Sequence, residues 1–322
     1  MNIIGQTDAT KQPRYVGFST FARLPMKMEV EGKVGTGVIG IPFDGGCTYR
    51  TGARFGPEAI RKASRLLRPY NPALDVYPFA KKQVVDMGDI AVTPFNNEKA
   101  VEQIYEGVKR ELGGLEHAVF MGGDHTISYP ILRCMTEKYD LKEGVTLIHF
   151  DSHLDTWDEY FEEKITHGTP FKRAFEEGLI NRETSMHVGI RGSVNDSDDF
   201  KRDAEMGFKV IRCSEVVDPA VGIKGIVEKI KSRVKMTPCY LSIDIDVVDP
   251  AFAPGTGTPE CGGFSSMEIL SIIRGLQGIN LIGGDVVEVA PCYDHGENTS
   301  LLAATLCYEL ICLINSRKRV IL

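Results

Sequence analysis

The chain has 322 residues, 43% of them hydrophobic and 25% charged, which is ordinary globular material and enough for one large α/β domain or two smaller ones. With 37 Lys and Arg against 44 Asp and Glu, the formal net charge is −7, and the terminal "SRKRV" is the only basic run. That balance offers no footprint for nucleic acid or an anionic membrane and mildly favours cationic ligands.

The first 33 residues precede any strand pattern and read as an extension packed on the body or on a neighbouring subunit. They lack a charged segment followed by an apolar one, and no apolar run approaches the roughly 20 residues that span a bilayer. A soluble cytoplasmic protein is the expectation. The first strand is "GVIGI" (37–41), followed by the Gly-rich loop "DGGCTYRTG" (44–52) and a helix, "PEAIRKASRLL" (57–67). A second helix, "EKAVEQIYEGVKREL" (98–112), leads to strand "AVFMG" (118–122) and a third helix, "ISYPILRCMTEKY" (127–139). Strand "VTLIHF" (145–150) then runs into "DSHLDTWDEYFEEKITHGTP" (151–170). Strands "HVGI" (187–190) and "KVIRC" (209–213), helix "GIKGIVEKIKSRV" (222–234) and strand "CYLSIDI" (239–245) follow. Helix "SMEILSIIRGL" (266–276), strand "LIGGDVVEV" (281–289) and a long helix from about Thr299 complete the chain. Strands apolar on both faces, separated by amphipathic helices, predict one α/β domain spanning 1–322 with a mostly parallel sheet covered on both sides.

Eight cysteines are scattered without a CxxC pair, unlike a disulfide framework or a zinc ribbon, and read as mostly buried thiols in a reducing compartment. Cys47, in the Gly-rich loop, and Cys261, beside two glycines, are the two expected to be accessible.

In such sheets ligands collect beyond the carboxyl ends of the strands. There the sequence places His125 after "AVFMG", Asp151, His153 and Asp155 after "VTLIHF", Asp244 and Asp246 at the end of "CYLSIDI", and Glu288 at the end of "LIGGDVVEV". Residues i and i+2 of a strand lie about 7 Å apart on one side, too far to share one ion unless the chain curls. Two ions about 3.5–4 Å apart with a bridging carboxylate satisfy the spacing. Asp155 reaches only if the chain folds back after His153. The set of four Asp and two His, with no thiolate, suits Mn²⁺, or Co²⁺, Ni²⁺ or Fe²⁺, better than a closed zinc site.

"GGDHT" (122–126), "DSHLD" (151–155), "HGTPF" (167–171) and "SIDIDVVDPAFAPGTGTPE" (242–260) resemble the signatures of the ureohydrolase (arginase/agmatinase) family, most closely its agmatinase-like branch with guanidinobutyrase and proclavaminate amidinohydrolase. The resemblance implies a three-layer α/β/α arginase-like fold with about eight strands and two divalent ions, chiefly Mn²⁺. It implies that His125, Asp151, Asp155 and Asp244 hold one ion and Asp151, His153, Asp244 and Asp246 the other. A hydroxide bridging the ions would attack a guanidinium carbon, giving urea and an amine. The resemblance further makes Glu288 the guanidinium anchor and His167 the proton shuttle, and implies a homotrimer or homohexamer.

Four other histidines read as structural: His117 and His187 as core or cap residues, His149 as a neutral hydrogen-bonded ring deep in its strand, and His295 as at most a rim residue. Substrate choice falls to two loops. The acids Asp158, Glu159, Glu162 and Glu163 would attract the second cation of agmatine, or simply face water. Arg50 would pair with the carboxylate of 4-guanidinobutanoate, and Trp157 and Tyr160 would close the pocket around a smaller guanidine or a biguanide. The expected order is agmatine or 4-guanidinobutanoate first, an unusual guanidine second and arginine last. An amine deacetylase and a catalytically silent partner subunit are the alternatives from other classes; the complete ligand set argues against both.

Overall fold

The computed structural model describes residues 3–316. The terminal basic run therefore lies outside the described residues except for Ser316. Within them are eight strands, β1 (Val34–Ile41), β2 (Val84–Asp89), β3 (Leu115–Gly122), β4 (Thr146–Phe150), β5 (Met186–Ile190), β6 (Lys209–Arg212), β7 (Cys239–Asp244) and β8 (Leu281–Val287). The helices are α1 (Gly56–Ser64), α2 (Asn97–Leu112), α3 (Ser128–Lys138), α4 (Pro170–Glu176), α5 (Asp199–Glu205), α6 (Gly222–Val234), α7 (Ser266–Gly275) and α8 (Asn298–Asn315). All strand pairs are parallel, in the order β2-β1-β3-β8-β7-β4-β5-β6.

Two apolar cores, one on each face of the sheet, give three layers. On one face Ile60 of α1, Ile226 and Ile230 of α6, Ile272 of α7 and Leu306 and Leu310 of α8 are buried together; on the other Ile104 of α2, Ile131 and Leu132 of α3 and Phe171 of α4 are. Both faces of the central strands are covered, so β1, β4, β5, β7 and β8 are buried at every position. This is why they read as continuous apolar runs instead of alternating ones.

Four elements differ from the sequence prediction. β2, "VVDMGD", is an edge strand that fades from buried to exposed along its length, too polar to show as a core run. α4 and α5 are two-turn helices of seven residues each, below the length at which helical periodicity declares itself. The fourth is α8, which is long and apolar enough to cross a membrane by length and composition, contrary to the reading of the sequence. It is instead 83% buried within the protein and packs on α1, α7 and β8, as a core helix does. The N-terminal segment is tied to the body: Asp86 accepts the Phe21 N–H at 2.6 Å, and the Ala22 N–H reaches Ser64 Oγ at 2.7 Å.

Register decides what meets at the carboxyl edge. Met121 of β3 pairs with Val286 of β8, Asp244 of β7 with Val287, and Phe150 of β4 with Ile243. The four central strands β3, β8, β7 and β4 therefore end at one level, and the residues that follow each of them share one hollow.

Candidate metal centre

Each strand exit bends sharply to present its side chain. After β3 the chain makes a close approach at Gly123, where a Cβ would stand 1.9 Å from the Phe43 carbonyl oxygen. That contact places His125 one residue beyond Asp124, whose carboxylate accepts the Thr126 N–H at 3.0 Å. Beyond β4, Asp155 adopts a left-handed backbone at φ 54°, the fold-back its participation requires. β7 ends at Asp244, and Asp246 lies in the following 3₁₀ turn with its N–H donated to Asp244 Oδ1 at 2.8 Å. The chain thus curls after both strands, so i, i+2 spacing along an extended strand is not what separates these acids.

The six groups converge as two half-sites. His125 Nδ1 faces Asp155 Oδ2 at 2.9 Å, Asp151 Oδ2 at 3.2 Å and Asp244 Oδ2 at 3.4 Å. His153 Nδ1 faces Asp246 Oδ2 at 3.1 Å and Asp151 Oδ1 at 3.4 Å. Asp151 therefore offers one oxygen to each histidine, the posture of a bridging carboxylate. His125 Nδ1 is buried and has no hydrogen-bond partner. Its other nitrogen, Nε2, lies 2.8 Å from Ser242 Oγ, which gives its own hydrogen to Asp285 at 2.7 Å and so accepts from the ring. That chain leaves the Nδ1 lone pair pointing into the acids, the tautomer a metal ligand needs. The donors fit two divalent ions.

The electrostatics describe the same crowding. Burial, then Asp246 and Asp151, push the Asp244 carboxyl well above the usual carboxylate range, and burial with Asp151 pushes Asp155 up to about 6. Burial opposes charge on His125 and His153 too, but the facing carboxylates outweigh it and raise both rings well above the ordinary histidine value. Asp151 alone is held well below its usual range, by His149, His125 and His153 against its burial.

Glu288 follows β8 in a left-handed conformation, φ 64°, and is buried. Its Oε1 accepts the His125 backbone N–H at 2.9 Å and lies 3.0 Å from His167 Nδ1, while Oε2 has no partner. His167 Nε2 faces the Thr48 N–H at 3.1 Å and Thr48 Oγ1 at 2.7 Å. Burial disfavours charging His167, but Glu288, Asp124 and Asp155 outweigh it and raise the ring to about 9. The backbone N–H holds Nε2 as an acceptor, so a second proton on the ring turns Thr48 aside.

The loop residues are less gathered. Arg50 lies over the rings of Tyr49 and Tyr293, 5.5 and 5.1 Å from their centroids, and no carboxylate pairs with it among the described residues. Its backbone borders the Glu288 pocket, since a Cβ on Gly257 would meet the Arg50 carbonyl at 2.9 Å and Glu288 Oε2 at 3.6 Å. Trp157 packs edge-on against Tyr160 and against Gly168, and it lines a cavity of about 600 Å³ with Thr156, Phe175 and Asp199 that contains none of the six ligand candidates. Asp158 is bound to Arg173, and Glu159, Glu162 and Glu163 are exposed. His295 is exposed, and His117 sits between Tyr139 and the Ile282 carbonyl. Cys261 is exposed and Cys47 half-buried, while Cys292, which the sequence did not single out, is exposed as well.

His149 and His187 are structural rings, as the sequence suggests, but their partners were not legible in it. His149 and His187 are buried and face each other at 2.7 Å; His149 continues to Asp151 at 2.7 Å and His187 to Asp203 at 3.0 Å. Burial outweighs Asp151 and pushes His149 down to about 3. Arg191, just past β5, donates to the carbonyls of Asp246, Val247, Glu260 and Cys261 and so clamps the Asp246 loop. Its place at a strand end was the available signal. Ser242 and Asp285 lie inside strands and gave none.

The comparisons with known proteins agree with this geometry. The Arginase family model matches residues 34–312. The chain is 41% identical to a guanidinobutyrase of Pseudomonas aeruginosa over 94% of each chain, and 42% identical to a guanidinopropionase of the same organism over 95% of each. Its fold superposes with a TM-score of 0.88 on a proclavaminate amidino hydrolase from Streptomyces clavuligerus, 37% identical, covering 94% of this chain and 99% of that one. With these motifs, this sheet and this ligand cluster, the chain belongs to the arginase family.

Proposed function

We propose that this enzyme hydrolyses an ω-guanidino acid of the 4-guanidinobutanoate type to urea and an amino acid, with two divalent ions held by His125, Asp151, Asp155, Asp244, His153 and Asp246. The observation that carries the reading is the pair of histidine nitrogens aimed at opposite oxygens of Asp151. When bound, two ions supply a water acidified toward a pKa of about 7 and draw off the charge that develops at the guanidino carbon.

The remaining steps belong to side chains. Glu288 Oε2, buried and unpartnered, accepts the guanidinium N–H groups, while Oε1 is fixed by the His125 N–H and by His167. A carboxylate matches that planar fork with charge-assisted hydrogen bonds. The water oxygen joins the guanidino carbon and the bond to the alkylamine nitrogen breaks. His167 Nδ1, on the Glu288 side, gives its proton to that nitrogen, and Nε2 exchanges with Thr48 Oγ1. Asp151 keeps the two half-sites at fixed separation.

The preference for a guanidino acid over agmatine rests on Arg50, whose backbone borders the Glu288 pocket and whose guanidinium stacks on Tyr49 and Tyr293, and on the loop acids, which face water or Arg173. The guanidinobutyrase and guanidinopropionase relatives support the same class. Mn²⁺ is the proposed metal, with Ni²⁺ and Co²⁺ next, on the oxygen and nitrogen donor set. A homotrimer or homohexamer is proposed, supported by the exposed Tyr15, Phe18 and Met28 of the N-terminal segment, and a cytoplasmic location by the free cysteines.

A panel of 4-guanidinobutanoate, 3-guanidinopropionate, agmatine, guanidine, a biguanide and arginine, assayed for urea release and kcat/KM with each metal, tests the reading. Guanidino acids are expected to lead, and Arg50→Gln to raise their KM about 10–100-fold, the effect of one lost ion pair of about 1.4–2.8 kcal/mol. Leading activity on arginine or agmatine overturns the substrate assignment; no urea from any compound overturns the reaction.

A further inference from the structure

Cys47 has no part in the mechanism above, yet it faces the machinery. Its sulfur, the His167 ring and the Glu288 carboxylate offer donor atoms that all lie within 4.8 Å of one another. None of the three belongs to the six-residue cluster. Glu288 Oε2 is buried without a partner, so the group already contains an acceptor that nothing in the chain satisfies.

We propose that Cys47, His167 and Glu288 form a third cation site, separate from the two-ion cluster, which takes a thiophilic dication such as Zn²⁺ and so blocks the guanidinium position. The blocking rests on the Glu288 reading given above; the cation binding does not.

The donor set carries the argument. Thiolate sulfur, imidazole nitrogen and carboxylate oxygen are the ligands Zn²⁺ and Cd²⁺ favour, whereas the neighbouring cluster offers only nitrogen and oxygen and suits harder ions. Around a tetrahedral Zn²⁺ with bonds near 2.0–2.3 Å, donors stand about 3.4–3.6 Å apart. The donors lie within 4.8 Å of one another, so binding draws them together, with the Cys47 side chain as the group that rotates. The pocket is also negative: Cys47 Sγ lies 3.8 Å from Asp124 Oδ2, behind Glu288.

Burial, and then Glu288, Asp124 and Asp44, hold the thiol far above its usual range, so Cys47 is no nucleophile by itself. A bound dication reverses that balance: metal–sulfur and metal–nitrogen bonds form, the Cys47 S–H bond and the N–H bond of the binding His167 nitrogen break, and both protons pass to solvent. Substrate and soft metal then compete for one carboxylate.

The test titrates Cd²⁺ into the manganese-loaded protein and follows the ultraviolet thiolate-to-cadmium band, with manganese content measured in parallel. The band is expected with manganese retained, to be lost in Cys47→Ser and kept in Cys261→Ser and Cys292→Ser. Glu288→Gln should weaken Cd²⁺ binding at least about 10-fold, as loss of a metal-supporting group does, and it decides the question if Cys47→Ser fails to fold. A band of unchanged affinity in Cys47→Ser, or cadmium entering only as manganese leaves, overturns the site. In urea assays Zn²⁺ should compete with substrate. If no guanidino compound is turned over, the cadmium band still decides this site by itself.

Discussion

His125 Nδ1 and Asp155 Oδ2 stand 2.9 Å apart, buried, while the ring's other nitrogen is committed to Ser242. In the metal-free chain a proton on Nδ1 reconciles them. Raised values on His125, His153 and Asp155 mean that the folded chain binds protons more tightly than the unfolded one. Their stabilisation is complete below the unfolded values and is lost as pH rises from those toward the folded ones, by about 6 for Asp155 and from the ordinary histidine value upward for the two rings. Metal-free protein should therefore lose Tm as pH rises above about 6, metal-loaded protein should not, and metal uptake should release protons. Calorimetry of both forms across this range checks it; parallel pH curves would refute it.

Asp246 holds Ser152 through Oδ1 and presents Oδ2 to His153. Asp246→Asn keeps the shape and removes the charge, so metal content should fall from about two ions per chain toward about one, with a large loss of rate. Elemental analysis beside urea release measures both. Full activity with one tightly held ion would end the two-ion reading.

His167→Asn should leave metal content intact and lower kcat by about 10²–10⁴, the range for general acid–base catalysis. Because Glu288 and its neighbours raise the ring to about 9, the proton it donates is present below that pH, and the rate should decline as pH rises through about 9. That basic limb should vanish in the variant. An unchanged rate and profile would reduce His167 to a turn residue.

Ser242 touches no proposed ion, yet it fixes the His125 tautomer and leans on Asp285. Ser242→Ala should weaken metal binding about 10–100-fold, the usual effect of a supporting hydrogen bond. Metal titration followed by intrinsic fluorescence reads this directly. Unchanged affinity would show that packing alone orients the ring.

The sequence by itself determined the class of the sheet and the identity of its chemical edge. Continuous apolar runs must be buried on both faces, and acids and imidazoles directly after such runs must come to the carboxyl ends, so His125, Asp151, His153, Asp155, Asp244, Asp246 and Glu288 were legible as a group. These are local properties of a chain and survive without coordinates. The order β3-β8-β7-β4 is not local: it sets Glu288 between His125 and Asp244, and no periodicity encodes which strands become neighbours. The same holds for His149 and His187, opposite each other in adjacent strands, and for Ser242 and Asp285, paired across β7 and β8. Cross-strand partners are fixed by register, which the packing of both apolar faces selects after the strands have formed. For Asp158, tied to Arg173, and for Arg50, stacked on Tyr49 and Tyr293, the sequence named the side chains, but only the fold decided which had already spent their charge on a neighbour.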